Sequence, residues 1–256
     1  MTVVDVQVSP AVNDWGAIRE AALVAESAGF GAFHVFDHLA GCSLGGDSMI
    51  EGVALLGALA EATSTIELGA MVMNVWNRQV GTLVTAAASI AHLSGRQFHF
   101  GIGAGAAPDS RWAVEQHAAG HEIEADLATR QRRVGQVLDL ARATWRHDRP
   151  EHLSTFPLPS PVPSLIVGVN SVGLSELAGR LADGINVPWN RPGRDDFLAA
   201  ADAAAGDRPF VRTAYHTFEP GLLDPAHPVR IEMTDRRIDR VVLAEFGPAT
   251  ELPESV

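Results

Sequence analysis

Residues Leu68 to Gly105 most constrain what this chain can fold into. They run as a strand (LGAMVMNV), a helix (VGTLVTAAASIAHLSGR), a second strand (QFHFGIG) and a glycine-rich turn (GAGA). This is one complete unit of a parallel α/β protein. In such folds the loops that close the strands hold cofactors and chemistry.

Similar signals alternate along most of the chain, as expected for a parallel sheet with helical crossovers. Val3–Val8 reads as a strand. Trp15–Ala28 follows as a helix, capped by Asn13 or Asp14 and stopped by Gly29. Ala32–Phe36 is the second strand, and a glycine-rich loop (GCSLGGDS) leads to a helix from Met49 to Thr63. Thr65–Asn74 and Gln97–Ile102 are the third and fourth strands, and a helix from Glu124 to Trp145 carries Arg130, Arg132 and Arg133 on an arginine-rich face. The proline-dense segment from Phe156 to Ser164 cannot be helical and reads as an interdomain linker or as a loop feeding a new strand. Leu165–Val169 supports the loop.

Ser171–Ala182 (helix), Gly184–Val187 (strand) and Arg194–Ala205 (helix) continue the alternation, and Pro209–Phe218 and Ile238–Phe246 are the last two strands. Eight strands with intervening helices predict a (β/α)8 TIM barrel occupying residues 1–256 as one domain. No convincing long helix lies between Phe218 and Ile238, and only ten residues (GPATELPESV) follow Phe246. The last quarter of the barrel is therefore expected to be shortened or rebuilt.

Composition narrows the function classes. The net charge of −12 argues against nucleic acid, whose phosphates need clustered cations. Cys42 is the single cysteine, which excludes an intrachain disulfide and a multi-cysteine zinc site. No apolar run approaches the roughly 20 residues of a membrane span, and MTVVDVQVSP lacks the features of a signal peptide. A cytoplasmic protein is expected.

Several residues are candidates for chemistry, each with a plainer alternative. Asp37-His38 directly follows the second strand, where a barrel places catalytic groups, and histidine exchanges protons near neutral pH. The alternative is a pair capping a strand end. GIGAGAAP (101–108) can bring backbone N–H groups close to a phosphate, or can simply be a tight turn. It is not a dinucleotide fingerprint, because position 106 is alanine. Gly168-Val169-Asn170-Ser171 is a second candidate anion loop, with Ser171 available as a helix N-cap. Met71, Met73 and Trp76 can wall a flat ring or pack a core. His117 and His121, four residues apart, do not make a convincing metal motif because Gly120 interrupts the helix. No metal is expected.

As an ordered set, AESAGFGAFHVFDH (25–38), LGALAEATSTIELGAMVMN (56–74), AHLSGRQFHFGIGAG (91–105) and PSLIVGVNS…ELAGRLADGIN (163–186) resemble the bacterial luciferase-like flavin and deazaflavin oxidoreductases. The resemblance covers residues 1 to about 190 and implies a (β/α)8 barrel and a homodimer. LSGR, DH and AEATSTIELGA are most similar to the branch that uses coenzyme F420, a deazaflavin. It implies a non-proline cis peptide at Met71-Val72, forming a bulge behind the ring, with Met73 and Asn74 completing that edge. Asp37 would meet the ring's polar edge, and His38 would donate or accept the proton. Gly103, Ala104, Gly105, Gly168, Val169, Asn170 and Ser171 would hold the phosphate and ribityl chain. Trp112 and Glu115 would line the mouth, and Cys42, Trp76 and Trp112 the substrate pocket.

Two departures from the sugar-phosphate dehydrogenase branch argue against its substrate. Cys42 stands where that branch has tryptophan, and Ala106 where it has glutamate. Glu115 is a candidate replacement for the missing acid. The expected activity is F420-dependent hydride transfer to or from a small, fairly apolar organic molecule. An FMN-dependent monooxygenase and a non-catalytic flavin-binding relative are the alternatives. The acidic chain needs local cations for an anionic cofactor, and Arg78, Arg180 and Arg191 are candidates.

Overall fold

The computed structural model describes residues 2–249 and 252. Eight parallel strands pair in sequence order and close β8 onto β1. They are β1 (Val3–Val8), β2 (Ala32–Val35), β3 (Glu67–Asn74), β4 (Phe98–Gly103), β5 (Ser164–Gly168), β6 (Gly184–Pro188), β7 (Val211–Thr217) and β8 (Arg240–Glu245). The TIM barrel inferred from the alternating pattern is the architecture observed.

The helices begin and end on local chemistry. Trp15–Ala28 (α1) starts where the Asp14 carboxylate accepts the Ala17 N–H at 2.9 Å, and it stops at Gly29, whose φ of 89° favours glycine. Gly52–Ala62 (α2) packs against β3 and Val80–Ser94 (α3) against β4, and α3 ends at another left-handed glycine, Gly95. A short helix, Val114–Ala118 (α4), follows the glycine-rich turn, and Leu127–Thr144 (α5) starts on Asp126. Val172–Leu181 (α6) and Arg194–Ala205 (α7) flank β6. Among the described residues no helix is long and apolar enough to cross a membrane.

The tail agrees with the expectation of no long helix before the last strand. The segment holds only one short helix, Pro228–Asp235 (α8), before β8. Its proline sits in the first turn, where the missing N–H has no intrahelical partner to lose. The barrel is shortened there but still closes. The proline-dense segment is a loop that feeds β5 rather than a linker.

Inside the lower barrel, five charged or titratable side chains meet across neighbouring and non-neighbouring strands. Arg240 of β8 makes two hydrogen bonds of 2.8 Å to Asp5 of β1 and a third of 2.8 Å to Glu67 of β3. His34 of β2 lies 3.3 Å from Asp5, and His99 of β4 lies 2.8 Å from Glu67. Room for this layer depends on Gly69, because a Cβ there would lie 2.2 Å from His34 Nδ1.

Burial opposes the charge on Asp5, yet the His34 hydrogen bond and Arg240 outweigh it, and the carboxyl is pushed down to about 2. Burial holds His34 below the ordinary imidazole range, with Asp5 opposing. The linkage has a definite sign. A lowered histidine binds its proton first in the unfolded chain, so stability falls as pH drops below about 6.5, the unperturbed value. The Asp5 contribution is present above about 3.9 and disappears as pH falls through about 2. Denaturation midpoints between pH 8 and 2 are expected to fall in these two windows, and His34→Gln should shrink the first step. A flat profile from pH 7 to 5 would contradict the neutral, buried His34.

Candidate functional site

A cavity of about 380 Å³ opens at the carboxyl ends of the strands. Its lining comes from nearly every strand end, including Phe36, His38, Met71, Val72, Gly103–Ala106, Gly168–Asn170, Asn186, Tyr215 and Phe246. This is the face where TIM barrels carry their chemistry.

One wall is a histidine held by a buried glutamate. His38 Nδ1 lies 2.8 Å from Glu115 Oε1, although the residues are 77 positions apart. The other carboxylate oxygen accepts the Leu39 N–H at 3.1 Å, the Ala40 N–H at 3.2 Å and the Ser43 hydroxyl at 3.2 Å. Burial opposes the Glu115 charge, but the His38 hydrogen bond and charge and these amides outweigh it and hold the carboxyl below its ordinary range. A carboxylate only accepts, so Nδ1 of His38 carries the proton. Nε2 is the ring nitrogen with no protein partner among the described residues. Trp112 packs on the same ring, 5.8 Å between centroids.

The neighbouring part of the wall is the end of β3. The Met71-Val72 peptide is cis, as the family resemblance implied, and the β3–β4 register shifts between Ala70 and Met73. Gln7, fully buried beneath, donates its amide N–H to the Met71 carbonyl at 2.5 Å and to Val35 O at 3.2 Å. Val72 projects between two glycines. A Cβ on Gly103 would lie 2.5 Å from one Val72 methyl, and a Cβ on Gly168 2.8 Å from the other. These glycines, read as anion-loop residues, are thus also required to seat the bulge.

Beyond the bulge, the two glycine-bearing loops present backbone donors. Among the described residues, the N–H groups of Gly105, Ala106, Asn170 and Ser171 donate to no protein acceptor. Gly105 has a φ of 77°, and its carbonyl accepts from Arg130 Nη1 at 3.0 Å. Ser171 caps α6 and accepts from Gln131 at 3.2 Å, so consecutive residues of α5 tie both loops together. Ser171 itself is not part of the cavity lining.

Four expected positions are corrected. Asp37 borders the cavity, but its carboxylate does not present a free edge to a ring. Arg78 donates to both oxygens, at 2.8 and 2.7 Å, and the Asn74 N–H adds a third bond at 3.1 Å. Met73 is fully buried in the core, because the bulge turns it away from the lumen. Trp76 lies outside the lining with Arg133 stacked 4.5 Å from its ring centroid. Cys42 is exposed on the turn Gly41–Leu44, and its neighbour Leu44 reaches the cavity instead. Of the three candidate arginines, Arg78 pairs with Asp37 and Glu51, and Arg180 lies 3.9 Å from Glu176 on the outside of α6. Arg191, which has no ion pair among the described residues, borders the cavity.

Sequence reasoning missed Asn186, Tyr215, Gln116 and Phe246. The alternation within TAYHT carried a signal for Tyr215, since residues two apart face one side of a strand. Burial raises its phenol to about 12, so Tyr215 stays a neutral donor. Gln116 had no local signal at all.

The model of the luciferase-like monooxygenases matches residues 1–208. No curated protein matches the chain by sequence. Among solved structures, an F420-dependent secondary alcohol dehydrogenase in complex with an F420-acetone adduct superposes with a TM-score of 0.76 at 16% identity, covering 96% of this chain and 94% of that one. The F420-dependent tetrahydromethanopterin reductase of Methanopyrus kandleri gives 0.70 at 13% identity, covering 96% and 94%. Monooxygenase RslO1 of Streptomyces bottropensis gives 0.65 at 17% identity, covering 92% and 77%. These similarities show a shared fold. The sequence match, which runs from β1 through α7, shows that the chain belongs to the luciferase-like monooxygenase family.

Proposed function

We propose that this protein is an oxidoreductase that transfers a hydride between the deazaflavin coenzyme F420 and a small organic molecule. The observation that carries this reading is the Glu115–His38 pair sharing one cavity with the Val72 bulge. The residues present fit such a cofactor. The bulge offers an apolar backing for a flat ring, and the unpartnered N–H groups of Gly105, Ala106 and Asn170 suit a phosphate. Arg130 and Arg191 supply positive charge at this rim of an otherwise acidic chain. The two F420-dependent neighbours are matched over 94% of their own length and the monooxygenase over 77%, which favours the deazaflavin over FMN.

When bound, the deazaflavin supplies a carbon that accepts or returns a hydride. The remaining steps belong to this chain. In the oxidative direction His38 Nε2 takes the proton of a substrate hydroxyl, and the Glu115 carboxylate stabilises the imidazolium so formed. In the reductive direction the same nitrogen returns the proton to a carbonyl oxygen. Phe36, Leu44, Met71 and Phe246 keep water from the reacting centre.

Incubating the protein with F420 and a panel of small secondary alcohols, while following the deazaflavin absorbance, tests the reading. Reduction of the coenzyme that requires His38 is expected. Oxygen consumption with reduced FMN, and no reaction with F420, would replace it with the monooxygenase reading.

A further inference from the structure

A chain of amide contacts ends at a buried acceptor that has no partner, on a residue that lines the cavity. Arg78 fixes the Asp37 carboxylate, and Asp37 can only accept from its neighbours. Asn77 therefore turns its Nδ2 toward Asp37, 3.3 Å from the backbone carbonyl and 3.5 Å from Oδ2. That leaves Asn77 Oδ1 as an acceptor, and Gln116 donates Nε2 to it at 3.1 Å. The orientation of the Gln116 amide follows from this sequence of contacts, and its Oε1 must be an acceptor. Oε1 is buried, and among the described residues no donor reaches it. Gln116 is only 3% exposed and lines the cavity next to Glu115.

A buried carbonyl without a donor is costly, so one that a rigid network holds at a cavity wall is suited to a ligand. We propose that Gln116 Oε1 is a ligand-recognising acceptor and that the pocket selects a molecule presenting an N–H or O–H donor at this point. The donor is separate from the reacting hydroxyl, whose proton goes to His38. This inference rests on the cavity being the ligand pocket of the proposed reaction, but not on which cofactor fills it. The donor has two possible sources: the ring N–H of the cofactor's pyrimidine edge, or a second polar group on the substrate. Where the substrate supplies the donor, the selected substrates are amino or hydroxy compounds rather than hydrocarbons with a single oxygen.

Three binding measurements on the full chain test it, comparing the natural protein with Gln116→Leu and with Gln116→Met. The first uses phenol and its methyl ether, anisole, as probes of the cavity without cofactor, read by Trp fluorescence. The natural protein should prefer phenol by about tenfold, and both variants should lose that preference. The second arm compares FMN with its N3-methyl derivative. Discrimination against the methylated ring, lost on substitution, identifies the cofactor edge as the donor. The third compares 2-butanol with 2,3-butanediol on cofactor-loaded protein, where a lost preference for the diol identifies the substrate. Equal binding of phenol and anisole to the natural protein overturns the proposal, as does a preference that survives both substitutions. If neither F420 nor FMN binds, the proposed function fails while the phenol measurement still decides the role of Gln116.

Discussion

Replacing His38 by alanine is expected to reduce turnover by roughly 10²–10⁴-fold while leaving cofactor affinity nearly unchanged. The expectation follows from the division of labour around the ring. Glu115 holds Nδ1, so only Nε2 is available to exchange a proton with a ligand. The binding features lie elsewhere, on the Val72 bulge and on the loops after β4 and β5. Removing the imidazole therefore removes a proton acceptor from the transition state rather than a contact with the coenzyme. Added imidazole should restore part of the rate by entering the space left behind. Glu115→Gln should give a smaller loss than His38→Ala, since its amide oxygen can still accept from Nδ1 but no longer stabilises a positive ring. Turnover by His38→Ala at the natural rate would indicate that a solvent molecule or another residue moves the proton.

The second large effect concerns stability. Arg240→Met is expected to cost about 3–5 kcal/mol, because it strips the counter-cation from a buried carboxylate. Asp5 has a side chain only 1% exposed, and Arg240 supplies two of its hydrogen bonds and one to Glu67. For a chain of 256 residues this corresponds to a fall in Tm on the order of 10 °C. His34 should respond as well. The Arg240 charge helps to hold its imidazole neutral, so the variant should bind a proton on His34 more readily and show a smaller acid step near neutral pH. Replacing Asp5 and Arg240 together with apolar residues should be less harmful than Arg240→Met alone, since no orphan charge remains. Calorimetry of the three proteins distinguishes an ion-pair layer that depends on mutual compensation from one that contributes little.

Order and type of elements were legible because each strand is a short apolar run bounded by a glycine, proline or capping residue. The rim position of Asp37-His38 could be read for the same reason. The roles of individual residues were less accessible, since they depend on partners far along the chain. Asp37 was expected to meet a ligand, but Arg78, 41 residues away, occupies its carboxylate. Glu115 was placed at the mouth only by the family resemblance, and folding brings it to His38 across 77 residues. Gly103 and Gly168 look like anion loops in sequence, whereas their space is required by Val72. Helix α8 escaped notice because proline at its start resembles a break. Gln116 illustrates the limit most clearly. Its orientation is set by Arg78, Asp37 and Asn77 in succession, and no pattern within a local window encodes such a chain of hydrogen bonds.

The most direct test of the central claim is an equilibrium titration of the purified protein with F420 and, separately, with FMN, followed by absorbance and fluorescence. The account predicts saturable binding of F420 in the micromolar range, with FMN weaker. Saturable micromolar binding of FMN with no binding of F420 would contradict it.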